Sequence, residues 1–485
     1  MRFRTAIGLT LLLSATGLTY EIAAGRVLAP FFGTSLLTWT TVIATVLAGF
    51  SLGSAAGGFV AERPRPEALR TVRRALVATA VLAALSPTVL GLVYGLGARG
   101  TGGMIASVVV AFFPASVLVT LPSPLLARMA VEARPGREGS SLGAVLAAGS
   151  LGAIAGAILA GFVTLPLIGS AATFAGCGAL ALLCLPFLRH PGGADGGTGP
   201  GMAAVAAAVV GAAGLIGGSA CRFESGLSCI DVEDRGGAVS LYSDRIRQAA
   251  ERTGQGAEAA GTRLELPYTE WIWARMDRDL GPAPSVLFVG GGGYTLPAML
   301  LASRPGADAV VVEIDPLVTR VVRDRLPWAG ATIADEGYDA ETGGTGNGRR
   351  LGIVHADGRV YLNETGRRFD AAVIDAFSSG SVPAHLATRE AYARLRGIVR
   401  GPVYVNVIDR PDGPLARGVH AILTDLWPHV VAVEGPVSPR GRANVVLAAA
   451  PTPLPPLDAL PEDYRIAALG PGRAFTDDRG WAGHR

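Results

Sequence analysis

Seven apolar runs fill the first 220 residues, at roughly 6–24, 36–60, 75–97, 104–126, 143–166, 170–188 and 202–220. Each approaches or exceeds the ~20 residues that a helix needs to cross a bilayer core. In lipid every backbone polar group must be satisfied internally, so runs of this kind predict helices. The first run follows Arg2 and Arg4 but continues through Tyr20 and Glu21 without a small-residue cleavage site, which marks a retained span.

Arginine placement predicts an orientation. Arg63, Arg65, Arg70, Arg73 and Arg74 lie between the second and third runs, and Arg128, Arg134 and Arg137 between the fourth and fifth. The alternate connections hold only Arg26 and Arg99, with none between the fifth and sixth runs. Positive loops stay in the cytoplasm, so the N-terminus is expected there. Seven spans then place everything after residue 220 outside the cytoplasm, in a multi-pass protein of the cell membrane. Gly49, Gly53 and Gly57, and Gly152 and Gly156, recur at four-residue spacing, as close helix packing requires. Glu21 is the one carboxylate inside an apolar run. It is either functional or paired structurally, for example with Arg26.

All 42 basic residues are Arg, which excludes a Schiff-base lysine and a P-loop lysine. Residues 1–220 carry 13 Arg against 6 acids, and the remainder 29 against 33. That balance gives no basic face of the kind nucleic acid requires. The six His are scattered at 190, 355, 385, 420, 429 and 484, so no protein-bound metal is expected. Cys177 and Cys184 share a face of the sixth run, too far apart to bond each other. Cys221 and Cys229 either close a small disulfide loop, in an oxidising compartment, or stay as free buried thiols.

After residue 229 the pattern changes. Short alternating runs, CIDVEDRGGAVSLYSD and TRLELPYTEWIW, predict a small β region. Strands then follow near 286–289, 309–314, 352–355, 371–375 and 402–408, alternating with helices such as 316–326 and 388–399. This predicts a parallel, doubly wound Rossmann-like sheet. The expected divisions are a helical membrane domain at 1–220, a β region and linker at 221–284, an α/β domain at 285–450 and a tail at 451–485. Segment 336–350 reads as a glycine-rich polar loop.

The stretch VLFVGGGGYTLPAMLLASRPGADAVVVEID, Val286–Asp315, carries the chemistry. Gly290, Gly291, Gly292 and Gly293 end the first strand without Cβ atoms, so backbone can approach a ligand closely. Thr295 is expected to cap the following helix, with Pro297 in its first turn. Glu313, at the end of the second strand, can accept hydrogen bonds from ribose hydroxyls. Asp357, in HADGR, follows the third strand next to Gly358, and Asp375 ends the fourth. Three acids at three strand ends converge on one edge of the sheet, suited to a nucleoside.

These residues resemble the spermidine synthase (polyamine aminopropyltransferase) group. The motifs are VLFVGGGG…VVVEID, HADGRVYL and FDAAVIDAF…VPAHLATREAY. The N-terminal LTYEIAAGRVLAPFFGTSLLTWTTVIATVLAGFSLGSAAGGFVAER is similar to its membrane-fused branch. The resemblance implies an S-adenosylmethionine-type transferase fold and decarboxylated S-adenosylmethionine as co-substrate. It implies adenosyl contacts from Gly290, Gly291, Gly292, Glu313, Asp357 and Gly358. Asp375 matches the catalytic acid, which deprotonates putrescine or another polyamine, and Tyr268 matches a substrate-positioning tyrosine. The implied partners are a small amine and the lipid bilayer, and a homodimer is open. Gly293 and Ser378 stand where the group carries acids, and Glu270 is a substitute charge. Thr476, Asp477 and Asp478 match its C-terminal motif. Two other readings stay open: a polyamine- or nucleoside-binding domain of a membrane transporter or sensor, and an S-adenosylmethionine-dependent methyltransferase.

Overall fold

The computed structural model describes residues 2–32, 36–188, 200–216, 222–260, 262–341, 347–377, 382–439 and 441–478. Ser378, Cys221, His190, His484, residues 342–346 of the glycine-rich loop and the Arg-Gly-Trp after Asp478 lie outside the described residues. The chain divides into two compact units, Met1–Cys229 and Ile230–Arg485.

The first unit is helical: α1 (Phe3–Phe32), α2 (Leu36–Glu62), α3 (Arg65–Gly95), α4 (Gly100–Thr120), α5 (Ser123–Glu132), α6 (Glu138–Ile158), α7 (Leu165–Leu183) and α8 (Pro200–Ile216). Five helical stretches are long and apolar enough to cross a membrane, and a shorter apolar helix covers Gly201–Leu215. The count differs from seven because two of the expected runs join in one helical stretch of 51 residues, Glu138–Leu188, and the last forms only the shorter helix. That stretch doubles back on itself. Gly152 and Gly156 lie against the carbonyls of Leu11 and Ala15, so α6 runs in the same sense as α1. Phe174 then meets Tyr20 edge-on at 5.3 Å, and Cys177 Sγ approaches the Thr16 carbonyl at 3.8 Å, so α7 runs in the opposite sense. The reversal spans a π-helical turn at Leu159–Thr164 and Gly169, whose φ of 76° suits glycine.

Contacts between the other helices extend this alternation. Gly25 meets Trp39 and Gly17 meets Phe50, so α2 opposes α1. Gly49, Gly53 and Gly57 pack on Ser116, Val117 and Leu121, so α4 runs with α2. A Cβ at Gly53 would collide with the Val117 carbonyl, which is why this row is glycine. Tyr20 Oη bonds Ser86 Oγ at 2.7 Å, while Gly178 packs on Ala80, which aligns α3 with α1. Gly178 meets Val210 and Gly214 meets Ala175, so α8 opposes α7. The described bundle therefore begins at one end and finishes at the other. Glu21 is only 8% exposed, and its Oε2 has no hydrogen-bond partner among the described residues. Arg26 Nε donates to the Ser225 carbonyl at 3.1 Å. Cys177 and Cys184 are buried free thiols, and Cys229 is disulfide-bonded.

The second unit opens with three antiparallel strands, β1 (Cys229–Arg235), β2 (Ala238–Ser243) and β3 (Ile246–Arg252), followed by a helix at Pro267–Asp279. The main sheet has nine strands: β4 (Ser285–Val289), β5 (Asp308–Val312), β6 (Gly337–Asp339), β7 (Leu351–Val354), β8 (Ala371–Ile374), β9 (Val403–Asp409), β10 (His429–Glu434), β11 (Ala443–Ala450) and β12 (Arg465–Ile466). Their order is β12-β10-β11-β9-β8-β4-β5-β7-β6. The six strands from β9 to β6 are parallel, and β4, β5, β7 and β8 are apolar along nearly their whole length because both faces are covered. The sheet departs from the all-parallel expectation at one edge, where β11 pairs antiparallel with both β9 and β10. Strand β4 lies between β5 and β8, so successive connections leave it in opposite directions. A crevice at the carboxyl ends of the strands is the expected ligand position in such a sheet.

Candidate active site

The glycine loop follows β4 at this crossover. Gly290 has φ +101°, and a Cβ there would collide with the Asp375 carbonyl beyond β8. Glycine thus lets the ends of two neighbouring strands come together. The loop then departs from the expected cap. Tyr294, in a left-handed conformation at φ 56°, holds the N-cap position of the helix Thr295–Ser303 and makes no side-chain cap bond. Thr295 is the first helical residue instead. Tyr294 is held in this conformation by burial of its ring and by a 2.7 Å hydrogen bond between its hydroxyl and Thr319 Oγ1. Pro297 sits in the first turn as expected.

Glu313 follows β5 and turns back under the loop. Its Oε2 accepts from Gly291 N at 2.8 Å and Gly292 N at 3.3 Å, and its Oε1 accepts from Asp315 N at 2.9 Å. Burial pushes its carboxyl pKa up, opposed by these backbone donors. Asp357 follows β7 and caps the helix Gly358–Glu364, with Oδ1 accepting from Arg359 N at 2.8 Å and Val360 N at 3.2 Å. Its other oxygen faces His385 Nε2 at 2.9 Å. Gly358 is buried, and a Cβ there would press on Val289. Asp477 ties the C-terminal segment to this region, through Arg359 at 2.7 Å and Thr388 Oγ1 at 2.7 Å.

Asp375 has the most specific surroundings. Tyr268 Oη donates to its Oδ2 at 3.0 Å, and Asn406 Nδ2 donates to its Oδ1 at 2.9 Å. Asn444 Nδ2 in turn donates to Asn406 Oδ1 at 3.0 Å. Burial raises the Asp375 pKa to about 6, with the bonds from Asn406 and Tyr268 opposing the rise. Burial and the adjacent Asp375 hold the Tyr268 phenol well above its ordinary pKa, so it remains a donor at neutral pH. The result is a carboxylate poised close to neutrality, held from two sides in the manner of a general base.

This carboxylate lines one cavity, and its partners Tyr268 and Asn406 line a second. One is a narrow cleft between Gly290–Gly293, Thr295–Pro297, Asp375 and Phe377. The other, of about 200 Å³, reaches from Tyr268 and Asn406 to Arg247, Asn444 and Tyr464. Gln248 lines both. Glu270 ion-pairs with Arg252 at 3.0 Å and does not line either cavity. Asp375, Tyr268 and the glycine loop therefore converge, Glu313 lies beneath the loop, and Asp357 stands at the next strand end. Asn406, Asn444, Gln248 and Arg247 were not singled out from sequence. Asn406 and Asn444 had a visible signal, a lone amide inside each of the apolar runs VYVNVI and ANVVLAAA. Among the described residues no cluster of His, Cys, Asp and Glu could hold a metal ion.

The Cβ-free loop leaves its backbone on the wall of the narrow cleft, which fits a nucleoside. Glu313 lies buried beneath the loop with both oxygens engaged by backbone N–H groups, and Gly358 is packed against Val289. Asp357 retains an oxygen directed at His385.

No family model matches the chain. It is 27% identical over 132 residues to a polyamine aminopropyltransferase of Vibrio vulnificus, covering 26% of this chain and 38% of that protein. It is 28% identical over 116 residues to one of Korarchaeum cryptofilum, covering 24% and 32%, and 29% identical over 121 residues to one of Saccharolobus islandicus, covering 24% and 36%. The chain thus spans about a third of the length of these curated relatives. Similar solved structures include a probable spermidine synthase from Corynebacterium glutamicum, with TM-score 0.42, 19% identity, and coverage of 52% of this chain and 93% of that chain. Another is the spermidine synthase of Thermotoga maritima, with TM-score 0.36, 19% identity, and coverage of 49% and 73%. The sequence relatives are transferases, and over about a quarter of its length the chain is similar to polyamine aminopropyltransferases.

Proposed function

We propose that the protein is a membrane-bound aminopropyltransferase that moves the aminopropyl group of decarboxylated S-adenosylmethionine to a primary amine. The observation that carries this reading is Asp375, with a pKa raised to about 6, held between Tyr268 and Asn406 opposite a glycine loop. In this reading Gly290, Gly291, Gly292, Glu313, Asp357 and Gly358 hold the adenosyl part. The acceptor nitrogen enters from the larger cavity and passes a proton to Asp375. Its freed lone pair then forms the new C–N bond at the methylene beside the sulfonium. The C–S bond breaks, and its electron pair leaves on sulfur as neutral methylthioadenosine. Tyr268 and Asn406 keep the carboxylate oriented, and the cavities hold the two reactants in line. A positioned base contributes about 10²–10⁴-fold. The test is methylthioadenosine release by the full chain, which Asp375→Asn should abolish; its persistence in that variant rejects the assignment of the base.

The proposed setting is the cell membrane, with the helical unit spanning it and the second unit outside the cytoplasm. What supports this is the alternation of helix directions from α1 to α8, the arginine distribution, and the disulfide at Cys229. An engineered thiol near Asn347 should react with an impermeant reagent on intact cells. Protection until the membrane is opened would reverse the orientation.

A second reading rests on Glu21. A buried carboxylate oxygen without a partner among the described residues, in a membrane helix, is a functional feature by default. The first unit would then transport a cation, with the second unit as a polyamine- or nucleoside-binding domain. Loss of amine uptake on Glu21→Gln, with ligand binding but no turnover, would favour it; unchanged uptake would remove it.

A further inference from the structure

We propose that the acceptor cavity takes an amine whose far end carries a carboxylate, a short ω-amino acid, in preference to a diamine that is cationic at both ends. The proposal rests on the aminopropyl-transfer reading and names its acceptor class.

The polar walls of the cavity are Arg247, Gln248, Tyr268, Asn406, Asn444 and Tyr464, and the rest is apolar. No Asp or Glu is among the lining residues. Asp375 borders it from the reactive end, through its bonds to Tyr268 and Asn406. Among the described residues that line the cavity, Arg247 alone carries a formal charge.

Arg247 also differs from its neighbour on β3. Arg252 is neutralised by Glu265 at 2.8 Å and Glu270 at 3.0 Å. Among the described residues no carboxylate pairs with Arg247. The carboxylate of Glu270, which would have been the natural partner for a second ammonium, is engaged by Arg252 and stands outside the lining. The wall thus has one end suited to an amine that must lose a proton, at Asp375, and another suited to an anion, at Arg247.

Electrostatics then selects the acceptor. A diamine with its reacting nitrogen at Asp375 would bring its second ammonium toward a like charge, and no described residue lining the cavity is a carboxylate. An ω-amino acid in the same pose places its carboxylate at the guanidinium, which binds it in a two-point fork. The reacting amine is the same in both, so the discrimination is expected in acceptor binding rather than in the chemical step.

The test uses the full chain in detergent with decarboxylated S-adenosylmethionine at fixed pH. Methylthioadenosine release is measured against 4-aminobutyrate and 5-aminopentanoate, and against putrescine and cadaverine. The wild type should favour the amino acids by about tenfold in kcat/KM, the scale of one charge-assisted contact at an accessible site. Arg247→Ala should raise KM for the amino acids, with the loss falling on KM rather than kcat. Arg247→Glu should turn the preference toward the diamines, and donor binding by each variant checks that it is folded. A wild type that prefers diamines, or a preference that Arg247→Glu leaves unmoved, overturns the proposal and leaves aminopropyl transfer standing. No methylthioadenosine from any amine, by protein that still binds the donor, refutes the transfer reading and the proposal with it.

Discussion

Asn406→Ala isolates the electrostatics of the proposed base. Asn406 is buried, and its Nδ2 is one of two side-chain donors to Asp375, at 2.9 Å from Oδ1. With both donors in place the Asp375 pKa is raised to about 6 by burial. At pH 7 about 90% of such a carboxyl is ionised. A hydrogen bond to a charged group is worth about 1.5–3 kcal/mol, so losing it should move the midpoint up by about one to two pH units. The sign follows from the proton: Asn406 stabilises the ionised form, so its removal favours the protonated form, and the base is lost at a higher pH. The ionised share at pH 7 should fall to between about 50% and 10%, with activity falling in proportion. The assay is the pH dependence of kcat/KM for methylthioadenosine release. The wild type should lose activity as pH falls through about 6, and the variant through about 7 to 8, with recovery by pH 9. An acid limb that stays near 6, or a loss that high pH does not restore, refutes this account of Asn406.

Three further outcomes are expected. Tyr268→Phe removes the other donor to Asp375, at 3.0 Å, and should shift the same limb upward while lowering kcat by about tenfold; an unshifted limb would limit Tyr268 to binding. Gly53→Leu should force α2 off the Val117 carbonyl and cost about 1–3 kcal/mol by overpacking. It would be read as a lower melting temperature in detergent, with Gly58→Ala, at an open position, as the unaffected control. The bond from Thr388, with Arg359 beside it, holds the Asp477 carboxyl below its ordinary value. Its contribution is therefore present above the unfolded pKa of about 4 and lost as pH falls through the lower folded value. Faster amide exchange at Asp477, whose N donates to Glu390 Oε2 at 3.0 Å, should appear only at that acid end, and Asp477→Asn should show it already at pH 6.

The parts of this molecule that are legible from sequence are those encoded locally. The run VLFV before four glycines and the run AVVV before Glu313 form adjacent parallel strands because both are apolar on two faces. The carboxyl-edge positions of Glu313, Asp357 and Asp375 follow from their places at strand ends. What was not legible depends on long-range pairing. Asn406 reaches Asp375 only because β9 lies beside β8, and Asn444 reaches Asn406 only because β11 pairs antiparallel with β9. Glu270 looked available for a cation until the fold set Arg252 of β3 against it. The left-handed Tyr294 is held by Thr319, 25 residues away, which no capping rule anticipates. The turn-back between α6 and α7 has a local signal in Pro166 and Gly169, yet helical hydrogen bonding continues through most of it.

The most direct test of the central claim is a comparison of the full chain with its Asp375→Asn form, given decarboxylated S-adenosylmethionine and the amine panel. The account predicts methylthioadenosine release by the first and a loss of about 10²–10⁴-fold in the second, with donor binding retained by both. Donor binding by both proteins with no release from either, across every amine, would contradict it.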